Sequence, residues 1–409
     1  MIDLDAAAAF AAEMHGTQQR AHGVPYIEHP RAVRRFAEII AAALEVELPD
    51  AVLAAALLHD VLEDTSTSDR ALAERFGAEV ADIVRALTRP ASRAPEDRAQ
   101  ASAEHFAQLA ESAHDHVRVL KVADRLHNLM ELPHTKDRAR QQRYLEETRQ
   151  WVIPVAARAR TPGFGAALVA ALEDGLALSA RNCALAAIGA PAPLRGVYVL
   201  IDVNVHTEPT RAEALLRGAC AGGARLVQLR AKGLSDRAML DWLEHLLPIC
   251  RTANTPLLVN DRADLALVSG AQGAHVGQQD LPAPHARALL GGDRLLGGSS
   301  HTLHQAQALD ALGVLDYVAF GPVFPSPTKH GHAEVTGLTA LTAVCSRASS
   351  PVCAIGGITS PARMASVAKA GAALGAVVSA VQEASDPCEA TRGLGIAYAA
   401  ARGLRNALL

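Results

Sequence analysis

In the C-terminal half of the chain, one short apolar run after another ends in residues that can handle anions and hard cations. The run Leu226–Leu229 ends in Gln228-Leu-Arg230-Ala-Lys232, Pro256–Val259 ends in Asn260-Asp261-Arg262, and Gly273–Val276 ends in Gly277-Gln278-Gln279-Asp280. Leu295–Gly298 leads into Ser299-Ser300-His301, and Tyr317–Phe320 into Gly321-Pro-Val-Phe-Pro-Ser326-Pro-Thr328-Lys329. Val352–Ile355 is followed by Gly356-Gly357, and Ala376–Val378 by Ser379. Asp261 and Asp280 are oxygen donors of the kind Mg²⁺ takes alongside phosphate oxygens and water. Arg230, Lys232 and Lys329 can neutralise a departing diphosphate, the arginine in bidentate fashion. Gly356-Gly357 and Val378-Ser379 can offer backbone N–H groups to a monophosphate. A Mg²⁺ site with two phosphate sites implies two phosphorylated substrates.

A second constellation lies in the N-terminal half. In Leu57-Leu58-His59-Asp60-Val-Leu-Glu63-Asp64-Thr65, helical geometry would put His59 over Glu63 and Asp60 over Asp64, one turn apart. His29 sits in the Pro-bounded segment Pro25-Tyr-Ile-Glu-His29-Pro30, and Asp124 in Leu120-Lys121-Val-Ala-Asp124-Arg125-Leu-His127-Asn128. Together His29, His59, Asp60 and Asp124 form an N,N,O,O set suited to Mn²⁺ or a similar octahedral metal. The remaining histidines, among them His22, His105, His114, His116, His330 and His332, are expected on the surface or in loops. His330 and His332, flanked by Gly331 and Gly337, mark a loop that could close over substrate.

Two different periodicities must position these groups. Apolar residues recur at helical steps in Leu4–Met14, Val33–Leu44, Ala51–Leu62, Ala71–Leu87 and Val117–Leu132, punctuated by Pro25, Pro30, Pro49 and Arg89-Pro90. This half is expected to be an all-α bundle. From Gly196 the rhythm becomes short apolar runs, starting with Val197–Ile201, alternating with helical segments of about 10–15 residues. Eight such runs fit a closed α/β (β/α)₈ TIM barrel, whose chemistry gathers at the C-terminal strand ends. The turn-rich stretch around Gly189-Ala-Pro-Ala-Pro193 reads as a linker. The expected division is 1–180, linker 181–195, and barrel 196–409.

Half of the 409 residues are hydrophobic and 20% are charged, the balance of a globular protein, and the length calls for more than one domain. Net charge is −4, so there is no electrostatic footprint for nucleic acid or an anionic membrane, and phosphate binding has to be local. Cys183, Cys220, Cys250, Cys345, Cys353 and Cys388 contain no CxxC pair and are expected to be free thiols, most of them buried. The opening MIDLDAAAAFAAEMH lacks the basic flank of a signal peptide, and no uninterrupted apolar stretch of about 18 residues occurs. A cytoplasmic protein is expected, and a homo-oligomer is compatible with the sequence.

The strings YVLID, QLRAK, LLVNDRADLAL, GAHVGQQDLP, GGSSHT, DYVAFGPVFPSPTK, AIGGI and GAVVSA, in this order across about 196–385, resemble the thiamine-phosphate synthase family. The family joins hydroxymethylpyrimidine diphosphate to hydroxyethylthiazole phosphate and releases pyrophosphate. The resemblance implies that Gln228, Arg230, Lys232, Asn260, Ser299 and Lys329 hold the pyrimidine diphosphate, Arg230 and Lys329 also serving its departure. It gives Asp261 and Asp280 to Mg²⁺, and Ser326, Thr328, Gly357, Val378 and Ser379 to the thiazole phosphate. Ala231 stands where the family usually has Glu, and Ser300 where it usually has Thr. A tautomerase relative shares the fold but tends to lose the metal acids and phosphate cations, which are retained here.

In the N-terminal half, the H…HD…D pattern resembles the HD-domain phosphohydrolases. HGTQQRAHGVPYIEHP, AALLHDVLEDT and KVADRLHNL, within about 5–155, look like the (p)ppGpp hydrolases of the Rel/Spo type. The resemblance implies metal binding by His29, His59, Asp60 and Asp124, with Glu63 and Asp64 serving the attacking water. Arg20, Lys121 and Asn128 match positions near the guanosine nucleotide, whose 3′-diphosphate would be removed. The alternatives to a bifunctional enzyme are a synthase regulated by a nucleotide-sensing, non-catalytic HD domain, and a barrel acting as a thiazole tautomerase.

Overall fold

The computed structural model describes residues 2–20, 24–89, 95–112, 114–135, 137–183, 194–325 and 334–408. The chain divides into two compact units, one formed by Met1–Gly189 with Ala399–Leu409, the other by Ala190–Tyr398. This differs from the expected barrel limits of 196–409, because the last eleven residues group with the helical unit. The reason is local packing. Gly403 lies so close to α11 of that unit (Phe164–Asn182) that a Cβ would stand 2.6 Å from the Ala166 carbonyl oxygen.

The helical unit begins with α1 (Leu4–His15), capped by Asp3, whose carboxylate accepts from the Asp5 and Ala6 N–H groups. It continues with α2 (Glu28–Leu44), α3 (Asp50–Leu58), α4 (Val61–Asp64), α5 (Asp69–Phe76) and α6 (Ala78–Leu87). Then come α7 (Pro95–Ser112), α8 (Asp115–Glu131), α9 (Arg138–Glu147), α10 (Ile153–Ala157) and α11. Helix α8 packs against α2 and α11, burying Leu120, Val122, Leu126 and Leu129, the last two facing Gly175 of α11. Two expected helices are each split. Ala71–Leu87 breaks at Gly77, whose φ of +93° suits glycine. Ala51–Leu62 ends at Leu58 and restarts at Val61, so His59 and Asp60 form a turn between helices. Asp64 N–H still donates to the Asp60 carbonyl (2.9 Å), keeping those two residues one turn apart.

The second unit is a closed barrel in the order β1 to β8 with every neighbouring pair parallel. Its strands are β1 (Gly196–Asp202), β2 (Leu226–Arg230), β3 (Leu257–Asn260), β4 (Gly273–Val276), β5 (Leu295–Ser300), β6 (Tyr317–Phe320), β7 (Val352–Ile355) and β8 (Leu374–Val377). Helices α12 (Pro209–Gly222), α13 (Asp236–Thr252), α14 (Ala263–Ser269), α15 (Ala283–Leu290), α16 (Leu303–Ala311), α17 (Gly337–Cys345), α18 (Pro361–Lys369), α19 (Ser379–Gln382) and the part of α20 (Pro387–Leu408) up to Tyr398 complete it. Each expected run falls on a strand, displaced at most by a residue or two at the ends. Inside lie Tyr198, Leu200, Leu226, Leu258, Tyr317, Ala319, Cys353, Leu374 and Ala376. All six cysteines are free, with Cys345 and Cys388 only partly covered. Among the described residues, no helix is long and apolar enough to cross a membrane.

Pairing of β4 with β5 leaves no room for a side chain at Gly273, where a Cβ would come 1.9 Å from the Leu295 carbonyl oxygen. Gly273→Ala is expected to lower barrel stability by about 1–3 kcal/mol. Urea unfolding followed at Trp242, in a Trp151→Phe background that removes the other tryptophan, measures this. An unchanged midpoint would mean that the two strands can part without cost.

Candidate functional site

In the helical unit the sequence-predicted metal residues meet. The break between α3 and α4 turns both His59 and Asp60 inward, α2 delivers His29 in its first turn, and α8 delivers Asp124. His29, His59 and Asp124 bring ligand atoms within 4.8 Å of one another. Asp60 Oδ2 is 3.3 Å from His29 Nε2 and 3.2 Å from His59 Nε2. Asp124 Oδ1 is 3.5 Å from His29 Nε2. His59 Nδ1–H donates to the Ala56 carbonyl (2.8 Å), which turns its Nε2 toward the cluster, where it can ligate once that nitrogen gives up its proton. His29 Nδ1 lies 2.9 Å from His127 Nδ1, so a donated Nδ1–H would free His29 Nε2 in the same way. This donor set fits a divalent metal ion.

Charge compensation explains how two carboxylates stay ionised there. Burial opposes the charged form of Asp60, but His59 and then His29 hold its carboxyl well below the usual range. Burial likewise opposes Asp124, and Lys121, followed by His29 and His59, outweighs it. At His59 burial favours the neutral ring, yet Asp60 and Asp124 push its pKa up to about 9. Burial, then the neighbouring His29 and Arg20, drive His127 down, which suits it to accept a hydrogen bond. Burial raises Glu63 above the ordinary glutamate range, opposed in part by the Arg89 N–H. A carboxyl tuned upward in this manner holds a proton more readily than an ordinary glutamate, which suits it to accept one.

The cluster floors a cleft of about 630 Å³ whose lining includes Arg20, Glu63, Asp64, Arg89, Lys121, Asn128 and Arg140. Arg20 donates to Glu131 (2.6 Å) and to Asn128 Oδ1 (2.5 Å), while Asn128 donates to Asp124 Oδ1 (2.5 Å). Lys121 Nζ donates to Asp124 Oδ2 (3.0 Å). Lys121 and Asn128 therefore brace a metal-facing carboxylate as well as lining the cleft. The Tyr26 hydroxyl lies 2.8 Å from Asp60 Oδ2 and 2.6 Å from Asp64 Oδ2. Sequence reasoning passed over Tyr26, His127, Glu131, Arg89 and Arg140. Only the proximity of Tyr26 to His29 and of His127 to Asp124 in the chain could have signalled two of them.

In the barrel, strand ends bring the predicted cation and acids together. Lys232, just beyond β2, has its Nζ 3.5 Å from Asp261 Oδ2. Asp261 follows β3 with a φ of +65°, pinned by its N–H donating to the His275 carbonyl (2.7 Å). Asp280 accepts from the Gly277 N–H (2.6 Å) and hydrogen-bonds Asp261. Burial and then Asp280 raise the Asp261 carboxyl, with Lys232 opposing. Two acids sharing a hydrogen bond beside an ammonium can take a divalent cation once both are ionised.

Arg230, the last residue of β2, pairs with Asp202 of β1, an acid the sequence reading missed. Asn260 ends β3, and Ser299 lies in β5 with its carbonyl accepting from Gln278 Nε2 (2.5 Å). Gln228 is buried inside the barrel. Gly357 adopts a φ of +68°, and a Cβ there would come 2.5 Å from the Pro325 carbonyl oxygen. Val378 and Ser379 follow β8 at the start of α19. Ser326, Thr328, Lys329, His330 and His332, like His22, lie outside the described residues. The expectation of surface histidines fails at His15, His105 and His275, which are 3, 5 and 7% exposed. The apolar residues around them carried no signal that these positions face inward.

His127→Phe should weaken divalent-cation binding to the helical unit by about 10–100-fold, measured by calorimetric titration of the full chain. An unchanged affinity would show that the contact with His29 orients nothing.

Comparison with known proteins finds matches to both halves of the chain. A family described as "Thiamine monophosphate synthase" matches residues 197–381, and one described as "HD domain" matches 7–160. Thiamine-phosphate synthase of Anaeromyxobacter dehalogenans is 42% identical over 219 residues, 54% of this chain and 95% of that protein. The protein of the same name from Roseiflexus castenholzii is 44% identical over 198 residues, 48% of this chain and 86% of its own. Among solved structures, thiamine phosphate pyrophosphorylase from Pyrococcus furiosus is 31% identical with a TM-score of 0.43, covering 49% of this chain and 94% of that one. A metazoan orthologue of SpoT that hydrolyses ppGpp is 27% identical with a TM-score of 0.36, covering 45% of this chain and 96% of that one. Through its barrel the chain belongs to the thiamine-phosphate synthase family, and the same polypeptide carries an HD domain ahead of it.

Proposed function

We propose that the barrel joins hydroxymethylpyrimidine diphosphate to hydroxyethylthiazole phosphate, and that the HD domain is a metal-dependent hydrolase of a guanosine 3′,5′-bis(diphosphate). For the barrel, the carrying observation is the contact of Lys232, Asp261 and Asp280 at neighbouring strand ends in a chain that spans 95% of a synthase relative. In this reading the bond between the pyrimidine methylene carbon and the diphosphate oxygen breaks. The electron pair leaves with pyrophosphate, and the thiazole nitrogen supplies the pair for the new C–N bond. No proton or redox partner is needed, and no protein nucleophile. Mg²⁺, when held by Asp261 and Asp280, would offset charge on the leaving group. Lys232 and Arg230 aim their charge at the same oxygens, and Lys329 is assigned there by family resemblance alone. Gln228, Asn260 and Ser299 hold the ring, while Ser326, Thr328, Gly357, Val378 and Ser379 hold the thiazole phosphate.

For the helical unit, the inward-facing His29, His59, Asp60 and Asp124 beneath a cation-lined cleft support hydrolysis of a phosphoanhydride or phosphoester. Mn²⁺ or a similar ion, held there, would polarise water and phosphate. Glu63 takes the proton from the attacking water, and Asp64, which holds the Tyr26 hydroxyl, orients that water. The water oxygen bonds to phosphorus, the bond from phosphorus to the ribose 3′-oxygen breaks, that oxygen takes up the proton removed from the water, and pyrophosphate is released. Arg20, Lys121 and Asn128 line the nucleotide side.

The full chain with both precursors and Mg²⁺ should form thiamine phosphate and pyrophosphate in equal amounts. Asp280→Asn should cut the rate by about 10²–10³. No product from the wild type would overturn the barrel reading. Manganese-dependent loss of ppGpp, abolished in Asp60→Ala, tests the other half, and metal binding without turnover would favour a sensing role.

Because Asp261 is raised, protons compete with Mg²⁺ at a higher pH than at an ordinary aspartate of about 3.9. Mg²⁺ affinity should therefore fall on acidification before that value is reached, and recover as pH rises through it. Calorimetric titrations across acidic pH check the sign. A pH-independent affinity down to the ordinary range would contradict it.

A further inference from the structure

Inside the barrel, side chains from β1, β2, β4, β5 and β6 form an unbroken hydrogen-bonded line. Gln228 Nε2 donates to the Tyr198 hydroxyl (2.6 Å), and the Tyr198 and Tyr317 hydroxyls are 3.0 Å apart. The Tyr317 hydroxyl lies 2.9 Å from His275 Nδ1, and His275 Nε2 lies 2.8 Å from Ser299 Oγ. Gln228, Tyr198, Tyr317 and His275 are all less than a tenth exposed, so water does not complete these bonds in their place. The packing accommodates the line. Tyr317 stacks on His275 at 5.6 Å and meets Tyr198 edge-on at 5.9 Å. Gly297 of β5 makes the room, since a Cβ there would stand 2.1 Å from the Tyr317 ring and 2.6 Å from His275 Nδ1.

The Gln228 amide N–H can only donate, and keeping every hydrogen within the line then favours one direction along it. Each hydroxyl carries one hydrogen, and a neutral imidazole donates at one nitrogen and accepts at the other. With Gln228 donating into Tyr198, the Tyr198 hydrogen goes to Tyr317, and the Tyr317 hydrogen goes to His275 Nδ1. His275 then holds its hydrogen on Nε2 and gives it to Ser299 Oγ. The Ser299 hydrogen is left for a ligand, and Gln228 Oε1 is left as an acceptor. With every hydroxyl hydrogen kept within the buried line, reversing one link reverses the others, so the two ends offer opposite senses. In a low-dielectric interior a mismatched link leaves an unsatisfied polar group, which makes the coupling between the ends strong.

We propose that this buried line sets the hydrogen-bond polarity of Ser299 and Gln228, making Tyr198, Tyr317 and His275 positioning residues that select a ring edge with an N–H donor beside a nitrogen acceptor. An aminopyrimidine presents that edge, and its counterpart with a carbonyl in place of the amine presents the reverse. The identity of the ligand rests on the synthase reading, whereas the polarity of the line does not.

The test uses the full chain. Tyr317→Phe cuts the line in the middle, and Tyr198→Phe cuts it beside Gln228. In each variant the kcat/KM ratio of the aminopyrimidine diphosphate over its carbonyl counterpart should fall by about tenfold or more, with KM for the thiazole phosphate unchanged. A merely structural role would lower thermal stability without moving that ratio. Independently, ¹⁵N shifts of His275, assigned with His275→Asn, should report the Nε2–H tautomer in the wild type. The Nδ1–H tautomer, or an unchanged ratio in both variants, overturns the proposal. A wild type without synthase activity overturns the functional reading instead, and the tautomer measurement still decides the polarity.

Discussion

A sheet that curls until its last strand hydrogen-bonds its first has no free edge, and here every neighbouring pair of strands is parallel as well. Here β8 closes on β1 through Gly196–Val199 against Leu374–Val377. Parallel closure puts every C-terminal strand end on one rim, where turns replace regular pairing and side chains escape the packed interior. Lys232, Asp261 and Asp280 come from segments far apart in the chain and meet because that rim is shared. Asp261 shows the local consequence, since the strand has ended and its backbone enters the left-handed region under the hold of the His275 carbonyl.

The helical unit solves a different problem, that of keeping acids charged in a buried place. Asp60 and Asp124 sit among His29, His59 and Lys121, and these positive or polarisable partners offset the burial that would otherwise protonate them. The same arrangement places a chain of braces behind the cluster, from Glu131 through Arg20 and Asn128 to Asp124. Groups braced on both sides lose little freedom when a ligand arrives, which favours tight and geometrically selective binding. The barrel interior follows the related rule for neutral polar groups. Its tyrosines and His275 are tolerable there because each finds a partner in the line.

The sequence alone determined the two architectures and most of the chemistry-bearing residues. Short continuous apolar runs with polar ends and period-3.6 stretches are local properties, written by nearest neighbours and by whether a residue must face a core. His29, His59, Asp60, Asp124, Asp261 and Asp280 stood out for the same reason, as ionisable residues set into otherwise apolar surroundings. Tertiary structure decided what local pattern cannot carry. Whether the helix runs through His59 and Asp60 or breaks there depends on the packing of α3 and on the charge cluster, because the intrinsic helix preference across Ala51–Leu62 is continuous. That Ala399–Leu409 leaves the barrel for the helical unit, that Asp202 pairs with Arg230, and that Tyr26 and His127 join the metal cluster all depend on contacts between distant segments. Such contacts exist only once the chain has closed on itself, and no window of sequence contains both partners.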